Sequence, residues 1–232
     1  MKSRQNRKSM SILKQVNDSL ESCYLNHPVT TKMIRQVSAQ QFKQLPSHSI
    51  EEVLTWCDQL LQQHKWAHKV IAFDWAYRVR KQYDVQTFDV FESWLTNYVT
   101  DWHDCDDFCT HAFGELILQY PSLFEQVKKW TTHEHFAIRR AAVVVLIIPI
   151  KQQKIIPSNP LVIADLLMFD DHYLVQKGYG WMLKIVSQSQ SELVIDYLRK
   201  HQLTMPRIAF RYACEKLDRA IKQELMKQNP KD

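Results

Sequence analysis

Apolar residues return at helical spacing along almost the whole chain, and the breaks between helical runs fall at a nearly fixed interval. Reading between those breaks gives five helix pairs: 49–64 with 66–83, 86–99 with 101–119, 121–130 with 134–149, 158–169 with 171–187, and 190–201 with 206–227. The second members begin near 66, 101, 134, 171 and 206, and so lie 35, 33, 37 and 35 residues apart. A period of that size in all-helical sequence stacks helical hairpins on one another. The expected fold is an all-α, right-handed α-solenoid of HEAT-like hairpins with a concave basic face. The units share little residue identity, and the alternative is chance regularity in a plain helical bundle.

Local signals agree with this reading. Ser49 stands before an apolar face of Ile50, Val53, Leu54, Cys57, Leu60 and Leu61, with Glu52 three residues on, the pattern of a capping box. Pro46, Pro121, Pro157, Pro160 and Pro206 fall between the runs or in first turns, where a missing N–H costs nothing. The run "AAVVVLIIPI" (Ala141–Ile150) is rich in β-branched residues, but its length and the preceding "FAIRR" make it a buried helix.

Composition narrows the function. The chain has 3 glycines, Gly114, Gly178 and Gly180, and no GxGxxG or GxxxxGK, which argues against a nucleotide-cradling α/β enzyme. Its 5 cysteines are scattered and odd in number, as expected of free thiols in a reducing compartment, and a cytoplasmic protein is expected. No apolar run reaches the ~18 residues of a membrane span. A formal charge of +5 suits an anionic partner without requiring one. The basic start "MKSRQNRKS" is expected to be a mobile arm over residues 1–10, followed by a single domain over 11–232.

Laid on one another, the second helices carry an aromatic near each start: Trp66, Trp102, Phe136 and Tyr173. Cations follow at Lys69, Arg139, Arg140, Lys177, Lys184, Arg207, Arg211 and Arg219, the row a phosphate-tracking groove needs. Helix 101–119 departs from this row. It holds Asp101, Asp104, Asp106, Asp107 and Glu115, and no Lys or Arg. Asp101 suits an N-cap, and Asp104 and Asp107 suit the first turns. At ~100° per residue, Asp106 instead shares the apolar stripe of Trp102, Cys105, Cys109 and Phe113. A carboxylate there needs a partner, which Arg139 or Arg140 could supply. A structural ion pair and a functional carboxylate both remain open. His103, Cys105, Cys109 and His111 crowd together, but the histidines do not share the cysteines' face and no CxxC is present. Neither a metal nor a cofactor is expected.

"DWHDCDDF", "WTTHEHFAIRRAAVV" and "VQKGYGWMLKIVSQ", in that order on successive second helices, resemble the AlkD-like DNA alkylation repair family. The resemblance runs from about Ile50 to Leu217 and implies a HEAT-like solenoid that binds double-stranded DNA. The family includes glycosylases that release cationic alkylpurines such as 3-methyladenine and 7-methylguanine. Carried over, the catalytic aspartate falls on Asp106, the lesion-contacting tryptophans on Trp102 and Trp181, and the phosphate-holding arginine on Arg139. Arg140, Lys177 and Arg211 join it as expected phosphate contacts. Phe136 replaces the tryptophan common before that arginine. Active members also carry an extra helix and a glycine-containing turn ahead of the helix read here as Ser38–Leu45. "NHPVTTKMIRQV" (Asn26–Val37) has no glycine and is short for that helix. The expectation is a monomer of the DNA alkylation repair type, read as a monofunctional glycosylase. The alternative is a non-catalytic paralog that binds DNA weakly or scaffolds a protein partner.

Overall fold

The structure, a computed structural model, describes residues 2–24, 29–152 and 159–228, with side chains over 12–23, 29–152 and 159–227. Helix is the regular structure throughout, and no strand occurs among the described residues. The chain separates into two compact units, Met1–Tyr98 and Val99–Asp232.

The first unit holds α1 (Lys2–Tyr24), α2 (Thr31–Lys43), α3 (Ile50–Leu61), α4 (Trp66–Arg78) and α5 (Thr87–Tyr98). Ser49 caps α3 as expected, its side chain accepting from Glu52 N. The helix read at Ser38–Leu45 begins earlier, at Thr31, because Thr30 caps it through Met33 N. The expected arm over 1–10 falls where α1 is already helical from Lys2, and the side chains there lie outside the described residues. α4 packs against both α2 and α3, so it is buried nearly all round, from Ala67 to Phe73 and again at Trp75 and Ala76. Each large side chain so buried contributes about 1.5–3 kcal/mol. Asp74 ties α4 to α2 by accepting from Ser38 Oγ at 2.5 Å and Arg35 Nη1 at 3.4 Å, and it also takes Arg78 Nε at 2.8 Å.

The second unit holds α6 (Trp102–Cys109), α7 (Ala112–Gln119), α8 (Phe124–Lys129), α9 (Phe136–Val144), α10 (Ile147–Lys151), α11 (Leu161–Leu166), α12 (Tyr173–Val186), α13 (Ser191–His201), α14 (Arg207–Ala213) and α15 (Arg219–Gln228). Within this unit α6 packs on α9, α9 on α12 and α12 on α14, so the second helices follow one another in chain order. Gly180 makes the last of these contacts possible. A Cβ there would lie 2.6 Å from the Ala209 carbonyl oxygen and 2.8 Å from Tyr212 Cβ.

Three expected helices prove to be broken. Helix 101–119 divides between Cys109 and Ala112, where Thr110 Oγ1 donates to the Asp106 carbonyl at 2.7 Å and His111 Nδ1 bonds the Asp107 carbonyl at 2.8 Å. The Asp106 carbonyl keeps its ladder bond from Thr110 N at 3.0 Å, whereas the Asp107 carbonyl takes the His111 ring in place of the His111 N–H, which turns to Phe108. Helix 134–149 divides at Val145–Leu146, because a continuous helix would drive the Pro149 ring into the Val145 carbonyl. The break puts Pro149 in the first turn of α10, where its missing N–H is harmless. Helix 206–227 ends at Ala213 and restarts after Asp218, whose Oδ1 accepts from Ala220 N at 2.8 Å. Pro157 lies outside the described residues.

Candidate active site and nucleic-acid face

The second helices of the Val99–Asp232 unit start alike. Asp101, His135 and His172 each cap a helix through a side-chain acceptor, and Trp102, Phe136 and Tyr173 follow as the first helical residues. Pro206 occupies the same place before α14. Five residues beyond these caps stand Asp106, Arg140, Lys177 and Arg211, one per helix. The repeat thus carries one chemical position whose occupant runs from acid to base along the row.

The first two members of that row are bonded to each other. Arg140 Nε donates to Asp106 Oδ1 and Nη2 to Oδ2, both at 2.8 Å, in the bidentate geometry of a charge-assisted pair. The third nitrogen, Nη1, donates to the Leu174 carbonyl of α12. The Arg140 side chain is 6% exposed and that of Asp106 21%. Burial opposes the guanidinium charge, but the hydrogen bonds and charge of Asp106 outweigh it, and the Arg140 pKa is raised. Gly178 leaves room for this arginine, since a Cβ there would lie 3.3 Å from Arg140 Nη1 and 3.4 Å from Cγ. Arg140, expected among the phosphate contacts, is therefore turned inward with all three nitrogens committed to the protein.

Arg139, its neighbour, reaches the other way. Its Nε and Nη2 donate to Asp170 at 2.5 and 3.2 Å, and Nη1 donates to the His133 and Glu134 carbonyls. Hydrogen bonding to Asp170 is the main reason its pKa is raised, ahead of burial, which opposes the charge. The side chain keeps 17% exposure, and Asp170 only 5%. Lys184 is also paired, with Glu215 at 2.9 Å. Lys177 sits 4.9 Å over the Tyr173 ring, and neither Lys177 nor Arg211 forms an ion pair among the described residues. Arg211 is exposed. Lys69 of the first unit, expected in the basic row, is buried.

Trp102 is 37% exposed and stacks on His103 with ring centroids 3.7 Å apart. It lies one turn before Asp106 on α6, and Trp181 lies one turn beyond Lys177 on α12, partly exposed. Cys105 and Cys109 lie fully buried on α6, and burial pushes the Cys109 thiol well up. No group of three His, Cys, Asp or Glu that could hold a metal ion occurs among the described residues. All five cysteines are free thiols, and no described helix is long and apolar enough to cross a membrane.

Two features went unseen in the sequence. Asp170, which claims Arg139, sits in a loop with no motif around it. Its Oδ1 also accepts from His172 N at 2.9 Å, as His133 Nδ1 accepts from His135 N at 3.0 Å, so "H-x-H" and "D-x-H" are the same turn. The second is a column of rings: Phe136 of α9 stacks on His172 at 4.0 Å and 10°, with His135 and Tyr173 at its two ends.

Residues 24–217 match the family model described as "DNA alkylation repair enzyme". The chain belongs to that family. The match covers most of the protein, including the whole row from Asp106 to Arg211. Among solved structures, the fold is similar to that of an Enterococcus faecalis protein described as a "predicted DNA alkylation repair enzyme". The TM-score is 0.65 at 16% identity, over 82% of this chain and 87% of that one. At that identity the likeness speaks for the helical-repeat fold of the family. Among curated proteins, none matches the sequence.

Proposed function

We propose that the protein is a monomeric, DNA-binding member of the alkylation repair family that hydrolyses the N-glycosidic bond of cationic alkylpurines, without metal or cofactor. The observation that carries this reading is Asp106, held bidentate by Arg140 yet with its carboxylate more exposed than the arginine beneath it. A 3-methyladenine or 7-methylguanine already bears positive charge, so it departs with the bonding electron pair and needs no proton. Positive charge then grows on the deoxyribose, as in glycoside hydrolysis, and water adds at the anomeric carbon while losing a proton. A fixed carboxylate beside that carbon stabilises the charge at little reorganisation cost. Arg140 holds the carboxylate in place, and its inward position suits this role better than phosphate binding. The indole faces of Trp102 and Trp181 favour the same cation. Lys177 and Arg211 contact phosphate, and Arg139, clamped by Asp170 and two carbonyls, offers the one Nη2 N–H left over.

One observation favours a second reading, a non-catalytic paralog. Both oxygens of Asp106 are occupied by Arg140, which is also how a purely structural pair looks. The test is release of free 3-methyladenine and 7-methylguanine from methylated duplex DNA, measured by mass spectrometry. Release above the spontaneous rate supports the glycosylase. Retention of both bases by folded protein that still binds the duplex assigns the paralog.

A further inference from the structure

A cleft of about 980 Å³ lies within the first unit, between α3 and α5. Hydrogen bonds hold α3 near both of its ends. At one end Gln82 Nε2 donates to the His48 carbonyl at 2.9 Å, and its Oε1 accepts from Ile50 N at 3.1 Å. At the other, Tyr98 Oη donates to Asp58 Oδ1 at 3.3 Å. Between these ties the helices stand apart. The α3 wall repeats every four residues through Ile50, Leu54, Asp58 and Gln62, which is one face of a helix. Val90 of α5, 37% exposed, faces the same space, with Trp94 buried behind it.

The charge of this cleft is opposite to that of the chain. Glu51, Asp58, Asp84 and Asp89 line it, with no Lys, Arg or His, in a protein of formal charge +5. None of the four is in an ion pair among the described residues. Helix stability accounts for part of the set. Glu51 and Asp89 lie in first turns, where the helix dipole favours an anion. Asp84 Oδ1 accepts from Thr87 N at 2.9 Å at the start of α5. Asp58 lies toward the C-terminal end of α3, where the dipole opposes a carboxylate, and is held instead by Gln62 Nε2 at 2.7 Å on Oδ2 and by Tyr98 Oη on Oδ1.

We infer that this cleft docks a cationic amphipathic helix of a partner protein. An apolar floor of Ile50, Leu54 and Val90 between acidic edges is the complement of a helix with apolar residues at i, i+3, i+4 and i+7 and Lys or Arg on its flanks. The stretch from Ile50 to Gln62 spans roughly 20 Å at helical rise, room for three to four turns of such a helix. Four carboxylates repel a phosphate backbone, so the cleft is not a second nucleic-acid site. The cleft shares no residue with the row from Asp106 to Arg211, and the proposal stands or falls independently of the glycosylase reading.

The experiment is fluorescence anisotropy of a labelled synthetic helix of about 16 residues, Leu on one face and Lys on the flanks, titrated with the full chain at ~50 mM salt. The expected result is saturable one-to-one binding. It should weaken at least about tenfold in Glu51→Gln/Asp89→Asn and further in Glu51→Lys/Asp89→Lys. Val90→Ser, an exposed site that leaves every carboxylate in place, should weaken it as well. A peptide of equal charge with Leu replaced by Ser should bind at least about tenfold more weakly than the amphipathic one. Equal binding of the two peptides reduces the effect to a polycation contact and overturns the proposal. So does affinity unchanged in the acidic variants with their melting curves intact, or the absence of binding. Self-association of the wild type that Val90→Ser abolishes would assign the cleft to a second copy instead, and equally overturns it.

Discussion

Arg140 and Asp106 share two parallel hydrogen bonds of 2.8 Å between α9 and α6, with the arginine almost fully buried and the carboxylate left partly open to solvent. The pair joins neighbouring helices of one unit, and the third arginine nitrogen extends the tie to α12. Three successive second helices therefore depend on one guanidinium.

Arg140→Ala should lower the unfolding free energy by about 3–5 kcal/mol, since it strands a partly buried carboxylate and the Leu174 carbonyl. Arg140→Lys should recover only part of this, because an ammonium cannot reproduce the fork. Denaturant titration of the three proteins checks both statements. Equal stability of Arg140→Ala and wild type would mean the pair contributes nothing.

Arg139→Ala, Lys177→Ala and Arg211→Ala should each weaken duplex binding and reduce the slope of log affinity against log salt by about one. Asp170→Asn serves as the control for Arg139, removing its partner's charge without removing the arginine. It should destabilise the fold with little change in that slope. Binding isotherms at several salt concentrations distinguish the two. A slope unaffected by all three cation variants would remove the phosphate-tracking face.

Much of this site was legible in the sequence because it rests on short-range regularities. Aromatic starts at 102, 136 and 173 and the apolar face of α6 are matters of spacing, and spacing also made Asp106 conspicuous and left Arg139 and Arg140 as its candidate partners. The choice between them was not legible. It is made by Asp170, a loop residue 31 positions beyond Arg139 that no helical period connects to it. Helix breaks fared similarly. Pro149 inside an apolar run carried the signal for the break at Val145–Leu146, whereas the one after Cys109 depends on where the Thr110 and His111 side chains turn.

Gly180→Ala should cost about 1–3 kcal/mol, because the added methyl meets the Ala209 backbone of α14 and not a side chain that can swing away. Thermal unfolding reads the loss. A neutral result would show that α12 and α14 can separate without penalty.

His68 gives the stability a pH dependence of known sign. Burial first, and the Lys65 charge second, hold its pKa at about 4, below the ordinary 6.5. Between those values the unfolded chain binds the proton and the folded one does not. Stability is therefore full above about pH 6.5 and falls as pH drops toward 4, by up to ~3 kcal/mol from this group. His68→Gln, which cannot titrate there, should flatten that part of the stability–pH profile. An unaltered profile would place the titration elsewhere.

Single-turnover release of 7-methylguanine from a defined duplex, by the wild type and by Asp106→Asn, tests the central claim most directly. Asparagine keeps the size of the side chain and removes the charge. The account predicts release by the wild type and a loss of at least about 100-fold in the variant, the scale of a single electrostatic stabiliser, with duplex affinity retained. Equal rates in two well-folded proteins would contradict it, leaving Asp106 as the acid of a structural pair.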